Sequence, residues 1–507
     1  MTPRLLLVEP PFGRLYHDNN GAFRAPLSLG YLSASVKQRT DCPVMVYNAD
    51  FNPDLEHHVN VSNDYLFSAG FERYQRCLKD LDAPVWDEVR QTLAEYRPDV
   101  LGVTVKTQNY HSALQVARLA KQQNPDCFVI FGGPHPTMAG EESLEDPVVD
   151  MTVLAEGENT LVEILQTLSN SETPEFGAIA GIIYRGPDGL VRTPARGNHD
   201  NLDDFPNPIE ALPEVLKDFD VYPANALARI FATRGCPYQC TFCGSVSMWT
   251  RKVRFRSPQN VVGEIKALLA RGATHVHFED DTFGVKKSYI RELCALIAQE
   301  CPGLSWSCEI TVQLADDENL RNMRAAGCHQ VTLGIESGDD EMLKRIKKNI
   351  TTEQAVAAVE RCRKHDITPY VFLMFGFPEE DEKSIRGTLD IIPRLNSPSI
   401  CFSVFTPYPG SQLFEQCKSW GMIDDKMDYS RFNHQSPDNH FSRNLSKETL
   451  DLHLHEAIRR IDRQEARVAK RMRRERGLRL LREQGGFAAL RWALSGVARR
   501  LAPRPAE

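Results

Sequence analysis

Short apolar runs alternate with helical patterns along most of this 507-residue chain. Within residues 1–194, five runs have the length and content of strands buried on both faces: 4–9, 43–48, 99–105, 128–133 and 151–156. Helical patterns occur at 27–38, 84–97, 110–123 and 158–168, and a hairpin is predicted at 179–194. Because strands that alternate with helices build parallel sheets, residues 1–194 are predicted to form a doubly wound α/β domain.

A second alternating series follows a connection rich in Asp, Asn and Pro, which we place at 195–225. Its six strands are predicted at 226–233, 274–280, 304–310, 329–337, 368–376 and 399–405. Six consecutive βα units predict a partial, TIM-like (β/α)6 barrel over 226–420, with its active site at the carboxyl ends of the strands. Residues 421–507 are predicted to form a helical, basic C-terminal extension.

Composition narrows the class of protein. A formal net charge of -8 argues against a general nucleic-acid binder, which normally carries a basic face. No apolar run approaches the roughly 18–20 residues that span a bilayer, and the N-terminus does not have the pattern of a signal peptide. The 13 cysteines are odd in number and spread over a long chain, which favours reduced thiols. We therefore expect a cytoplasmic protein.

Three cysteines lie together in the loop after the first predicted barrel strand. RGCPYQCTFCG (234–244) spaces Cys236, Cys240 and Cys243 as C-x3-C-x2-C. Thiolates are the soft ligands of iron–sulfur clusters, which usually take four. Three protein ligands leave one iron open to bind a substrate through an amine and a carboxylate. Zinc, or no metal, is the alternative, although neither Cys nor His follows within thirty residues of Cys243 to complete a zinc site.

The 226–415 series resembles the radical S-adenosylmethionine (SAM) enzymes, and this resemblance implies a [4Fe–4S] cluster on the three cysteines. FEDDTF (278–283) resembles the acidic motif after the second strand, which contacts the methionine amino group. GIESG (334–338) resembles the fourth-strand motif, and GFP (376–378) the adenine-side motif. The motifs imply these SAM contacts: Phe242, Glu279, Asp280, Asp281, Glu336, Gly376, Phe377 and Pro378.

One position departs from the family pattern. Many relatives carry an Arg after the third strand, whereas this chain has Glu309 and Gln313 there. The group that neutralises the SAM carboxylate is therefore left unassigned by the sequence.

The doubly wound, Rossmann-like first domain resembles the cobalamin-binding domain fused to one large branch of the same family. TVKTQNY (104–110), GGPHPT (132–137) and AEGEN (155–159) carry the resemblance. It implies these corrinoid contacts: Thr104, Lys106, Thr107, Gly132, Gly133, Pro134, His135, Glu156, Gly157 and Glu158. For GGPHP, a plain strand-to-helix turn is the alternative. A domain that has lost cobalamin is the alternative for the whole region.

The cobalt-ligating D-x-H-x-x-G motif of many cobalamin domains is missing, and ADFNPD (49–54) occupies its expected place. The resemblance then implies a base-off corrinoid whose lower face has no protein ligand. Members similar to magnesium-protoporphyrin ester cyclase and phosphinate methylases have this arrangement.

Together the two resemblances imply a radical methyltransferase that acts on an unactivated carbon, or on phosphorus, of a natural-product, lipid or pigment substrate. In this hypothesis a 5′-deoxyadenosyl radical abstracts hydrogen and methylcobalamin supplies the methyl group. The partners would be a small-molecule substrate and an external electron donor of flavodoxin or ferredoxin type. A cyclase or rearrangement enzyme without methyl transfer, and a non-catalytic SAM- and corrinoid-binding regulator, are the alternatives.

The C-terminal arginines recur at helical spacing over 456–484, which predicts a solvated helix packed on the barrel. The segment GGFAALRWALSGVARRL (485–501) also has the pattern of a basic amphipathic helix. Such helices lie on anionic membrane surfaces, so peripheral membrane contact is a further hypothesis.

Overall fold

The computed structural model describes residues 2–17, 21–52, 70–424, 427–434 and 436–501, with side chains as far as residue 475. Within ADFNPD, residues 53 and 54 lie outside this description. Two parallel sheets follow one another along the chain, as the two alternating series predict.

The first sheet has seven strands in the order β2-β1-β3-β4-β5-β6-β7. The first five are parallel, and the last two form an antiparallel hairpin at one edge. The strands are β1 (Leu5–Glu9), β2 (Val44–Asn48), β3 (Val100–Thr104), β4 (Phe128–Gly132), β5 (Met151–Val153), β6 (Ile182–Gly186) and β7 (Gly189–Arg192). Every residue of β3 is buried, because helices cover both faces of the sheet. The doubly wound domain is confirmed.

Seven helices lie in the described part of this domain. They are α1 (Gly13–Tyr16), α2 (Leu27–Arg39), α3 (Gly70–Lys79), α4 (Pro84–Tyr96), α5 (Tyr110–Gln123), α6 (Pro134–Ala139) and α7 (Gly157–Asn170). The four helices predicted from periodicity are present, with ends within two residues of the expected ones. Both α4 and α6 begin with a proline, which fits the first turn because that turn needs no N–H donor there.

The connection at 195–225 is folded onto the first domain. It contains α8 (Pro208–Val215), which packs on α2 so closely that a Cβ on Gly30 would lie 2.8 Å from Pro208. The Lys217 N–H donates to the Val46 carbonyl (2.8 Å) beside the edge strand. The sequence pattern missed this helix because its eight residues are too few to show a sustained period.

The second sheet has six parallel strands in the order β15-β14-β13-β12-β11-β8, as a partial barrel requires. They are β8 (Arg229–Ile230), β11 (His275–Phe278), β12 (Ser305–Ile310), β13 (Cys328–Glu336), β14 (Thr368–Phe375) and β15 (Ser399–Val404); β9 (Thr233–Arg234) pairs separately with β10 (Arg254–Phe255). The helices are α9 (Ala224–Leu227), α10 (Ser245–Trp249), α11 (Pro258–Ala270), α12 (Lys287–Glu300), α13 (Asp317–Ala325), α14 (Asp340–Arg345), α15 (Thr352–Lys364), α16 (Glu382–Leu395) and α17 (Gln412–Ser419). The barrel prediction is confirmed.

The C-terminal extension begins with an irregular segment (residues 421–446, of which 425, 426 and 435 lie outside the description) and continues as one helix, α18 (Lys447–Leu501). The predicted helical C-terminus is therefore present as α18. Leu450, Leu454 and Ile461 form a buried stripe along α18. The helix also reaches the edge strand, where Glu465 Oε1 accepts the Ile400 N–H (2.9 Å).

The amphipathic segment 485–501 lies beyond the described side chains, so its surface character stays a prediction. Across the described ranges, no helix combines the length and the apolar character needed to cross a membrane.

Candidate functional site

The cysteine loop runs from β9 to α10 and is fixed by backbone contacts. Thr241 donates its N–H to the Ile346 carbonyl (3.0 Å), and its own carbonyl accepts the Leu413 N–H (2.9 Å). Gly235 has φ 106, and a Cβ there would lie 2.6 Å from the Lys252 carbonyl oxygen. Only glycine suits both the conformation and the close approach. The backbone is thus held while the three thiols stay accessible.

Cys236 and Cys240 are partly exposed and Cys243 is exposed, and all three are free thiols. The Ser245 N–H points at Cys243 Sγ (3.4 Å), which favours a thiolate. Among the described residues, no three His, Cys, Asp or Glu side chains stand close enough to share a single metal ion. A thiolate donor set of this kind suits an iron–sulfur cluster.

Lys348 is the buried cation beside this loop, and sequence reasoning missed it. Its Nζ lies 2.8 Å from Glu336 Oε1 and 6.0 Å from the ring centre of Phe242, and both charged side chains are 10% exposed. Burial alone would lower the pKa of Lys348, but Glu336 and Cys240 hold it above its usual value. Glu336 has φ 72, a strained backbone conformation often retained at functional sites. The only sequence signal was a pair of lysines after α14.

Carboxylates surround the mouth of the barrel. Burial, and after it the neighbouring Glu279, Asp281 and Glu336 carboxylates, raise the pKa of Glu309 to about 7. Glu279 itself is paired with Arg229 and, at 3.5 Å, with Arg24. The negative charge of a carboxylate held among three others is not balanced. A group carrying both a sulfonium and an ammonium, as SAM does, would balance it.

Asp280 is placed differently from its neighbours. Its carboxylate accepts the Ala232 N–H (3.0 Å) and the Thr233 hydroxyl, and the side chain is 1% exposed. Burial raises its pKa to about 7. The structure therefore places Asp280 in a buried tie between β11 and the start of the cysteine loop, away from the open mouth where Asp281 lies.

A cavity of about 320 Å³ opens where β13, β14 and β15 end. The predicted SAM residues Phe242 and Glu336 line it, together with Tyr408 and His434. His434 comes from the irregular 421–446 segment and carries no motif, so sequence reasoning could not find it. Burial lowers the pKa of His434 to about 4, so the imidazole is neutral.

The Gly-Phe-Pro turn lies behind this cavity. Gly376, Phe377 and Pro378 are buried, and the Phe377 ring centre is 6.0 Å from that of Phe242. The Gly376 N–H donates to Glu380 Oε2 (2.5 Å), and burial raises the pKa of Glu380 to about 8. Glu380 thus holds the turn in shape while the turn supports Phe242.

Another cavity, of about 350 Å³, is lined by both domains. Eight of the ten predicted corrinoid contacts line it: Thr104, Lys106, Gly132, Gly133, Pro134, Glu156, Gly157 and Glu158. The barrel contributes Arg234, Ser245, Met248, Trp249 and Asp281. The corrinoid residues and the cysteine loop therefore meet at one cavity.

The two remaining predicted contacts, Thr107 and His135, lie away from the cavity. His135 is fully buried, its Nδ1 is 3.2 Å from Thr107 Oγ1, and its ring packs against Tyr110 and Tyr429. Burial lowers the pKa of His135 to about 3. In this structure His135 packs in the core of the first domain.

Glycines shape the corrinoid side of the cavity. Gly133 has φ 101, and a Cβ there would lie 3.1 Å from the Val105 carbonyl oxygen. A Cβ on Gly157 would lie 3.1 Å from Leu32, which also lines the cavity. Side chains are excluded at these points, so backbone forms the wall. A flat macrocycle or its nucleotide tail fits such a wall.

The acidic side chains of the AEGEN segment have a role that sequence reasoning did not assign. Arg234 binds Glu156 (2.7 Å) and Glu158 (2.6 Å), and Arg254 binds the second oxygen of Glu156 (2.7 Å). All four side chains are at most 7% exposed. Arg234 lies two residues before Cys236. These carboxylates therefore join the first domain to the strand that leads into the cysteine loop.

Comparisons with known protein families agree with this division. Residues 230–392 match the radical SAM superfamily, and residues 59–165 match the B12 binding domain. The chain thus combines a region similar to the radical SAM superfamily with a region similar to B12-binding domains. This pair of regions implies a [4Fe–4S] cluster, SAM and cobalamin as cofactors.

Several proteins share this arrangement. The chain is 28% identical over 417 residues to an uncharacterized methyltransferase of Pyrococcus horikoshii, covering 81% of this chain and 82% of that one. It is 28% identical over 372 residues to an anaerobic magnesium-protoporphyrin IX monomethyl ester cyclase of Rubrivivax gelatinosus, covering 69% and 63%. The fold matches the cobalamin-dependent SAM radical enzyme OxsB, solved with aqua-cobalamin and SAM bound, with a TM-score of 0.68 at 17% identity over 89% of this chain and 65% of that one.

Proposed function

We propose that this protein is a cobalamin-dependent radical SAM methyltransferase that methylates an unactivated carbon, or phosphorus, of a small-molecule substrate. One observation carries the proposal: the cavity lined by the glycine wall of the first domain also contains Asp281 and Ser245 from beside the cysteine loop. A methyl donor held by the first domain would therefore face a radical source held by the barrel. Similarity to a methyltransferase over most of both chains supports it.

The residues of this chain have separable tasks in the proposal. When bound, the cluster supplies the electron that cleaves SAM and the corrinoid supplies the methyl group. Cys236, Cys240 and Cys243 would hold the cluster. Lys348 would neutralise the SAM carboxylate, in place of the Arg that many relatives carry after the third strand. Glu309 and Asp281 would face the cationic part of SAM.

The cavity around Phe242 would accept the adenosine part of SAM. Tyr408 and His434 close this cavity, and the Tyr408 hydroxyl accepts the backbone N–H of His434 (2.9 Å). This contact fixes the 421–446 segment over the mouth of the barrel. Excluding water there matters because a carbon radical must survive until it meets its intended partner.

The test is anaerobic reconstitution with iron, sulfide and cobalamin, followed by SAM and dithionite. We expect 5′-deoxyadenosine, and S-adenosylhomocysteine as the mark of methyl transfer, from protein that retains the corrinoid spectrum after desalting. The Cys240→Ala variant should make no 5′-deoxyadenosine. Deoxyadenosine without retained corrinoid would overturn the methyltransferase proposal, and neither product would favour a non-catalytic binding protein.

A second candidate function is ring formation or rearrangement without methyl transfer. The similarity to a magnesium-protoporphyrin ester cyclase favours it, because the same two domains occur in that relative. The product analysis separates the candidates: 5′-deoxyadenosine without S-adenosylhomocysteine, from protein that retains corrinoid, would support the cyclase.

A further inference from the structure

The cysteine loop has two flanks with different neighbours. On one flank, α10 packs against α6 of the first domain, and a Cβ on Gly244 would lie 2.8 Å from the Met138 sulfur. On the other flank, Thr241 is hydrogen-bonded on both sides, to Ile346 and to Leu413. The first flank is thus covered by the corrinoid domain. The second flank carries the residues that lead from the cluster ligands to the outer surface of the barrel.

A dense group of cations lies on the second flank. The sequence KRIKK (344–348) spans the last two residues of α14 and the three after it, and the carbonyl of Ile346 in its centre accepts the Thr241 N–H. Lys344, Arg345 and Lys347 are exposed, whereas Lys348 turns inward to Glu336. We name the three exposed residues the basic flank. They stand on a protein whose formal net charge is -8.

Helix electrostatics explain only part of this arrangement. Cations favour the C-terminal end of a helix, and Lys344 and Arg345 occupy the last turn of α14. Lys347 lies beyond that helix with φ 55, and its Nζ reaches Gln412 (2.9 Å) on α17, next to Leu413. The positive charge therefore spans the two elements that hold Thr241, the neighbour of Cys240.

We propose that the basic flank docks an acidic electron-transfer protein of flavodoxin or ferredoxin type, which reduces the cluster. The proposal rests on the proposed function, because only a redox cluster needs such a partner. In the step, the donor loses one electron, the cluster gains it, and no proton moves. The opposite charges would steer the encounter, and docking here brings the donor to the flank that the corrinoid domain does not cover.

The test compares two reductants on reconstituted full-length protein. The variant Lys344→Glu/Lys347→Glu reverses two charges of the basic flank, and Arg459→Glu/Arg463→Glu reverses two exposed charges on α18 as the matched control. We measure 5′-deoxyadenosine formation driven by dithionite, and by an acidic flavodoxin or an acidic ferredoxin with its reductase. At low salt, the basic-flank variant should lose about tenfold in protein-driven rate, the scale of electrostatic steering, and keep its dithionite-driven rate.

Further readouts separate docking from damage. The wild-type protein-driven rate should fall with added salt, and that of the basic-flank variant should fall less, because its steering is already lost. The neutral variant Lys344→Gln/Lys347→Gln should lie between the two. An equal loss in the α18 control, an equal loss with dithionite, or no support of the wild type by either donor protein would overturn the proposal. If wild type makes no 5′-deoxyadenosine even with dithionite, the proposed function fails instead.

Discussion

The two sheets are both built mainly from parallel strands but differ in strand order and in what their faces touch. In the first sheet, all five residues of β3 are buried, so polar groups such as Lys106 occur beyond the strand ends. In the barrel, buried and accessible residues alternate along β14, and Phe372 is 42% exposed on the accessible face. The first sheet can therefore bind a ligand only beyond the ends of its strands. The barrel also offers its interior, where Glu309 lies.

The largest expected effect comes from a variant that disrupts the barrel site and leaves the first domain intact. Cys240→Ala removes a cluster ligand from the barrel and touches nothing in the first sheet. We expect complete loss of 5′-deoxyadenosine formation with undiminished corrinoid retention, measured by chromatography and by absorption after desalting. Cys301→Ala, at a buried cysteine after α12, is the control and should keep both properties. Loss of corrinoid in Cys240→Ala would show that the two regions do not bind independently.

The ion pairs between the regions give the next largest effect. Arg254→Met leaves Glu156 with one cation fewer in a buried site, which should lower the free energy of unfolding by about 3 kcal/mol. Urea denaturation measures it. Lys252→Met, two residues away, removes an ion pair with Asp200 in which both side chains are exposed, and should leave the midpoint unchanged. Similar midpoints for the two variants would mean that the Arg254 pair adds nothing to stability.

A milder change tests the glycine wall. Gly133→Ala forces a side chain into φ 101 and toward the Val105 carbonyl, which should displace the wall and weaken cobalamin binding about tenfold, the equivalent of about 1.4 kcal/mol. Absorption titration with cobalamin measures it. Gly303→Ala also has a positive φ, of 83, but nothing lies within 4 Å. Wild-type cobalamin affinity in Gly133→Ala, or an equal loss of affinity in Gly303→Ala, would show that the glycine wall is not part of the corrinoid site.

The smallest effect concerns pH and the barrel interior. The pKa of Glu309 is about 7 in the fold, above the ordinary value of 4.5, so ionising it costs more in the folded state. Its contribution to stability is therefore present below pH about 4.5 and lost as pH rises through 7. Without SAM, wild type should lose more thermal stability between pH 5 and 8 than Glu309→Gln. Calorimetric titration at pH 8 should show SAM binding a few-fold weaker in the variant. Parallel pH profiles would contradict the assignment.

Local pattern was enough to predict both sheets. Strands such as β3 and β4 are short apolar runs between helical patterns, so length and periodicity alone located them. The cysteine loop was equally local, since all three ligands fall within eight residues. The connection at 195–225 was harder, because α8 is short and is stabilised by contact with α2 rather than by its own period.

Pairings between distant side chains could not be predicted. Arg234 and Glu156 are 78 positions apart, and nothing in either segment reports the other. The AEGEN carboxylates were expected on the corrinoid; they line its predicted cavity, and their pairing with arginines could not be foreseen. Lys348 was missed for the same reason, because its partner Glu336 is separated from it by a helix. The environment of Asp280 likewise depends on Ala232 and Thr233, which are 48 and 47 positions away in the chain.

The contact between Glu465 and the Ile400 N–H has a consequence for solubility. A six-stranded barrel that does not close keeps two free edges, and β15 forms one of them. An uncovered edge presents backbone donors and acceptors that can pair with a strand of another chain. The α18 carboxylate occupies one of those donors, and the helix lies along the strand. The C-terminal helix therefore protects the barrel against strand-to-strand aggregation. A chain shortened before Lys447 would need another means of avoiding assembly into oligomers or fibrils.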